Sequence, residues 1–110
     1  MEFRTEKIGD IMHVKLTIET MDANNSKEFK TAMAPIIDKN VKVVFDMSQV
    51  EFVDSSGCGA LLSCLRQLSS SGGDLKVYGL QKRVRTLFEL IRLHRIMDIF
   101  NTKEEAVSAF

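Results

Sequence analysis

The stretch Asp54-Ser55-Ser56-Gly57-Cys58-Gly59 holds the residues of this chain best suited to chemistry. It sets two hydroxyls, a carboxylate and a thiol side by side, between apolar Val50, Phe52 and Val53 and the run Ala60-Leu61-Leu62. Asp and Ser favour helix starts, because their side-chain oxygens accept bonds from N–H groups that the first turn leaves without intrahelical partners. The pattern predicts a helix over Gly57 to Leu68, with Ala60, Leu61, Leu65 and Leu68 spaced for burial. Gly57 and Gly59 each weaken such a helix by roughly 1 kcal/mol relative to Ala. A first turn carrying both implies that its backbone approaches something closely, either a neighbouring strand or another protein.

Two readings of the serines stay open from these residues alone. In the first, Asp-Ser-Ser caps the helix and the glycines seat it on a sheet. In the second, a hydroxyl is displayed for phosphorylation. A phosphate there adds a charge of about −1.5 to −2 at a helix N-terminus, where the dipole and free N–H groups can hold it. A small hydroxyl and a bulky dianion at one place make a workable switch.

Other chemistries fit poorly. No Gly-x-Ser-x-Gly elbow surrounds Ser55, and the two histidines lie mid-strand (His13) and between arginines (His94), so a hydrolase triad is not expected. The glycines precede no Gly-Lys-Ser/Thr, which excludes a phosphate loop. Cys58 and Cys64 fall on different sides of one helix and cannot bridge each other, and two thiols alone make no zinc site. They read as reduced, packed side chains; no metal or cofactor is expected. Lys82, Arg83, Arg85, Arg92 and Arg95 form a basic face, read as solvated surface or as a second partner contact.

The elements that must position these residues follow from periodicity. Phe3–Ile8 and Ile11–Glu19 read as strands joined by the Gly9-Asp10 turn, the second alternating at Met12, Val14, Leu16 and Ile18 as if one face were buried. Asn24–Asp38 reads as a helix with Phe29, Met33, Ile36 and Ile37 on one stripe, and Pro35 kinks it or marks its last turn. Val41–Phe45 and Leu75–Gly79 are buried-type strands. A helix over Val84–Ile91 places Leu87, Phe88 and Ile91 inward, Ile96–Phe100 gives a last strand or irregular segment, and Lys103–Phe110 a closing helix. Strands alternating with helices after an opening hairpin predict one α/β domain over residues 1–110, its mixed sheet mostly parallel and its helices packed against it. In such sheets the working crevice lies at the carboxyl ends of the strands, here the loops after Phe45 and Glu19.

The chain has 110 residues, enough for one modest core, with 45% apolar and 27% charged residues. Lys plus Arg equals Asp plus Glu at 15 each, so no net field draws it toward nucleic acid or anionic membrane. No apolar run approaches the ~20 residues of a membrane span, and Met1–Asp10 lacks a signal-peptide core, so a cytoplasmic protein without membrane insertion is expected, as a monomer.

The segment Phe52-Val53-Asp54-Ser55-Ser56-Gly57-Cys58-Gly59 resembles the signature of bacterial anti-sigma factor antagonists, the STAS-domain proteins. Met21-Asp22-Ala23-Asn24-Asn25-Ser26 resembles their Leu-Asp-Ala-x-Asn-Ser loop, and Val41–Met47, Gly72–Leu75 and Val84–Phe88 fit later landmarks. Glu19-Thr20 stands where the family often has Gly-Glu, and Cys58 where it has Leu or Ile. The resemblance implies a STAS fold and partner switching rather than catalysis. The unphosphorylated form would bind an anti-sigma factor that is also a serine kinase and so release the sigma factor. Phosphorylation on Ser55 (Ser56 being the weaker acceptor) would end binding, and a PP2C-type phosphatase would reverse it. Asp22, Asn25, Asp54, Ser55, Ser56, Gly57 and Gly59 would then form the partner-binding surface. The alternative implied by the same family is a stand-alone STAS subunit of a lipid-transport ABC complex or a signalling scaffold, without a phosphate cycle.

Overall fold

A computed structural model describes residues 1–110. Five strands form the main sheet in the order β1 (Phe3–Ile8), β2 (Ile11–Leu16), β4 (Lys42–Asp46), β6 (Asp74–Tyr78), β7 (Asp98–Phe100). Only β1 and β2 pair antiparallel, through the turn at Gly9, whose φ of 61° suits glycine; the other pairs are parallel. The expected mixed α/β architecture is therefore present. Two further strands of two residues each, β3 (Thr20–Met21) and β5 (Phe52–Val53), pair in parallel away from the main sheet.

Topology dictates the layering. From β2 onward each strand is added on the same side of its predecessor, and right-handed crossovers then place every connecting helix on one face. Helices α1 (Ser26–Lys39), α2 (Ser55–Ser70) and α3 (Lys82–Leu90) accordingly cover a core of Val14, Leu16, Val43, Phe45, Leu75 and Val77. Phe29 of α1 meets Phe45 edge-on, ring centroids 5.9 Å apart. The opposite face is left to α4 (Lys103–Ser108), which closes a smaller cluster of Ile11, Val44, Tyr78 and Ala106. This corrects the expectation for β2. Ile11 and His13 are buried beside Val14 and Leu16, so both faces are covered, and the strand ends at Leu16. Helix α1 runs past the exposed Pro35 to Lys39. A second correction concerns Ile91, which is 51% exposed: α3 stops at Leu90 and Arg92 takes a left-handed φ of 61°, turning the chain before Ile91 can face inward.

The face under α4 is unusually polar. His13 Nε2 lies 2.7 Å from the Tyr78 hydroxyl. Lys76 is buried, its ammonium donating to Asp98 at 2.7 Å and Asp74 at 3.0 Å, with the Phe110 ring centroid 4.8 Å away. Burial, and then the charge of Lys103, push the His13 pKa below its ordinary 6.5, against the opposing pull of Asp46 and Glu6; Lys15 adds to the depression. The unfolded chain then takes up this proton first as pH falls, so stability should decline below about pH 6.5. Burial pushes the Cys64 thiol from 9.0 up to about 12, so the unfolded chain loses its proton first, and stability should decline again above about pH 9. Urea midpoints across pH 5 to 11 check both limbs; His13→Gln should flatten the acid limb and Cys64→Ala the alkaline one.

Candidate functional site

The carboxyl ends of β2 and β4 lead into the two loops carrying the singled-out residues, and the β3–β5 ladder ties those loops together. Glu51 and Phe52 N–H both donate to the Glu19 carbonyl, at 2.7 and 3.2 Å, and Asp54 N–H donates to the Met21 carbonyl at 3.1 Å. The first loop is held from inside. The Asp22 carboxylate accepts from Asn24 N–H at 2.9 Å. The Asn25 amide donates to the Thr20 carbonyl at 2.7 Å and accepts from Asp22 N–H at 3.0 Å. Asn25 and Asp22 thus spend much of their hydrogen-bonding capacity shaping the loop.

Asp54 is the N-cap of α2. One carboxylate oxygen accepts from Gly57 N–H at 2.9 Å, and the other accepts from Ala23 N–H across the ladder at 3.2 Å. Ser55 follows as the first residue of the helix rather than a residue before it, and is exposed, whereas Ser56 is half-buried. Because Asp54 satisfies the third N–H of the helix, the first two, of Ser55 and Ser56, are left without intrahelical partners beside the exposed hydroxyl. An anion on Ser55 would sit where both the dipole and unpaired donors favour it.

The two glycines separate cleanly. A Cβ on Gly57 would lie 2.2 Å from the Met21 carbonyl oxygen, so the absence of a side chain lets α2 abut β3. A Cβ on Gly59 would meet nothing within 4 Å. Gly57 answers to the fold; Gly59 leaves an open surface. Cys58 lies under this surface, its thiol pushed up by burial and by the Asp54 charge, which keeps it protonated and a poor nucleophile. His13 sits on the other face of the sheet, engaged with Tyr78, and so cannot serve Ser55 as a base.

Sequence reasoning missed a hollow of about 350 Å³ beside Ser55, lined by Val53, Cys58, Gly59, Leu62, Leu87 and Ile91. The signal lies in the spacing of Leu87 and Ile91, one helical turn apart, which reads equally as part of the core.

Comparison with known proteins places the chain in context. The STAS domain family matches residues 2–106. BtrV of Bordetella bronchiseptica is 27% identical over the whole chain and 95% of its own length. The anti-sigma-B factor antagonist of Listeria monocytogenes is 26% identical over 90% of the chain and 89% of its own length. Among solved structures, TM1081 of Thermotoga maritima superposes with a TM-score of 0.86 at 27% identity, covering 97% of this chain and 92% of that one.

Proposed function

This chain belongs to the STAS domain family, and from that premise we propose that it is an anti-sigma factor antagonist controlled by phosphorylation of Ser55. The observation that carries the reading is the placement of Ser55: an exposed hydroxyl on the first residue of α2, beside two unpaired N–H groups and a neighbouring carboxylate already committed to the cap. The Listeria relative above bears the name of an anti-sigma-B factor antagonist, a regulator rather than an enzyme, and no catalytic base stands at Ser55.

In this reading the unmodified face binds an anti-sigma factor with serine-kinase activity. The kinase transfers the γ-phosphoryl group of ATP to Ser55 Oγ, ADP departs, and the hydroxyl proton passes to the kinase. The new dianion stands next to Asp54, and a surface closely matched to a hydroxyl no longer fits. A PP2C-type phosphatase hydrolyses the ester and resets the face. Asp22, Asn25, Asp54, Ser56 and Gly59 frame the surface, with Asn25 and Gly57 acting by positioning it.

Intact-mass analysis after incubation with candidate kinases of the host and ATP tests this. One added phosphate that persists in Ser56→Ala, disappears in Ser55→Ala, and abolishes kinase binding is the expected result. Absence of phosphate with the kinase that binds it would sink the switch.

A further inference from the structure

Three of the five large apolar side chains that the protein leaves exposed, Phe52, Leu90 and Ile91, belong to β5 and to α3 with its C-cap, and a fourth, Ile96, follows close behind. Such residues scattered singly need no explanation, but a contiguous patch marks an interaction surface. Of these, Ile91 lines the hollow beside Ser55, together with Leu62 of α2 and Leu87 of α3. A second hollow, lined by Phe52, Val53, Arg83, Val84 and Leu87, shares Val53 and Leu87 with the first, so the two form one apolar groove. Its α2 wall is lowered at Gly59, where even a methyl group would touch nothing.

One guanidinium lines this groove and two more lie close to its lining residues along the chain. Arg83 lines one end, Arg92 directly follows Ile91 at the other, and Arg66 lies one helical turn beyond Leu62 on α2. All three are exposed, and none is ion-paired. The one carboxylate lining the groove, Asp54, is committed to the α2 cap and Ala23. An apolar floor with unpaired guanidinium groups close by matches an amphipathic helix whose apolar stripe is flanked by Asp or Glu. We propose that this groove is the docking site for an acidic amphipathic helix of the partner protein. The proposal deepens the reading above and rests on it where Ser55 is concerned. Ser55 lines the groove, so its phosphate would cancel much of the cationic field that attracts an acidic partner. Release would then follow from charge as well as from shape.

The test uses two designed helical peptides with the same leucine stripe, flanked by Glu in one and by Lys in the other, titrated into isotopically labelled full-length protein. The Glu peptide should perturb the amides of Val53, Gly59, Leu62, Leu87 and Ile91, weaken with salt, and bind at least about tenfold tighter than the Lys peptide. Ile91→Glu and Gly59→Gln should each cut that binding by about tenfold or more without lowering the unfolding midpoint. Arg83→Glu combined with Arg92→Glu should reverse the preference between peptides. Equal binding of both peptides, perturbations mapping elsewhere, or a concentration-dependent dimer lost in Ile91→Glu would each overturn the proposal, the last by seating a second copy in the groove. The readings fail separately: Glu-peptide binding in a protein that no kinase modifies upholds the groove and removes the switch, whereas a phosphate-controlled kinase complex indifferent to Ile91→Glu removes the groove and keeps the switch.

Discussion

Gly57→Ala should cost about 2–4 kcal/mol of stability, although Ala is the better helix former by roughly 1 kcal/mol. The methyl group would stand 2.2 Å from the Met21 carbonyl oxygen and 2.8 Å from its carbon, and both belong to backbone that cannot rotate aside. Relief requires α2 to move off β3, which stretches the bond from Asp54 N–H to that same carbonyl and pulls the cap away from Ala23. The damage therefore lands on the turn that presents Ser55. The companion change makes the argument sharp. Gly59→Ala, two residues on, should stabilise by about 0.5–1 kcal/mol, because the helix gains a better former and the methyl group meets nothing. Urea unfolding of both variants decides it; two changes of the same sign would contradict the division of labour between these glycines.

Phe45→Ala should remove about 3–5 kcal/mol, a large part of the 5–15 kcal/mol that holds a domain of this kind. Phe45 is fully buried on the central strand β4, and its ring takes the edge-on contact with Phe29 that anchors α1 to the sheet. The sheet is hydrogen-bonded on both sides of Phe45, so the strand cannot collapse into the cavity. Phe45→Leu keeps most of the volume and should cost less than half as much. A shift in urea midpoint with the slope unchanged identifies lost packing. Any loss of partner binding in Phe45→Ala should track the unfolded fraction, whereas a loss in Ile91→Glu should not.

Much of this fold was readable from periodicity, for reasons that the structure makes plain. The strongly apolar Val43-Val44-Phe45 predicts a strand covered on both faces, and β4 lies between β2 and β6 under helices on each side. Helix α2 carries its stripe over four turns, and its start was marked by three capping residues in a row. The failures are equally specific. The ladder β3–β5 spans two residues per strand, too short for any alternation, and exists only because Asp54 and Glu19 bring its backbones together. For β2, alternation at Met12, Val14 and Leu16 was real, yet the other face is also buried: Ile11 joins a second small core under α4, and His13 is buried beside it against Tyr78. His13 masked this because it reads as polar, and only its bond to Tyr78, 65 residues away, makes its burial tolerable. Ile91 continued a helical spacing correctly and still faced outward, since the helix had ended one residue earlier. At the site, residue types located the turn, but no one-dimensional pattern distinguishes a glycine pressed against a carbonyl from one facing open space.

A protein with an apolar groove at its surface also risks sticking to itself, and the opening hairpin bears on that risk. Strand β1 borders the sheet with its outer backbone N–H and C=O groups unpaired, a template on which a second molecule could lay a strand. Yet Arg4, Thr5, Glu6 and Lys7 are all exposed along it. Any molecule adding there would have to dehydrate this run of charges and break the ion pair from Lys103 to Glu6. The opposite border, β7, offers only three residues. Both borders thus discourage fibre-like growth by strand addition from a second copy.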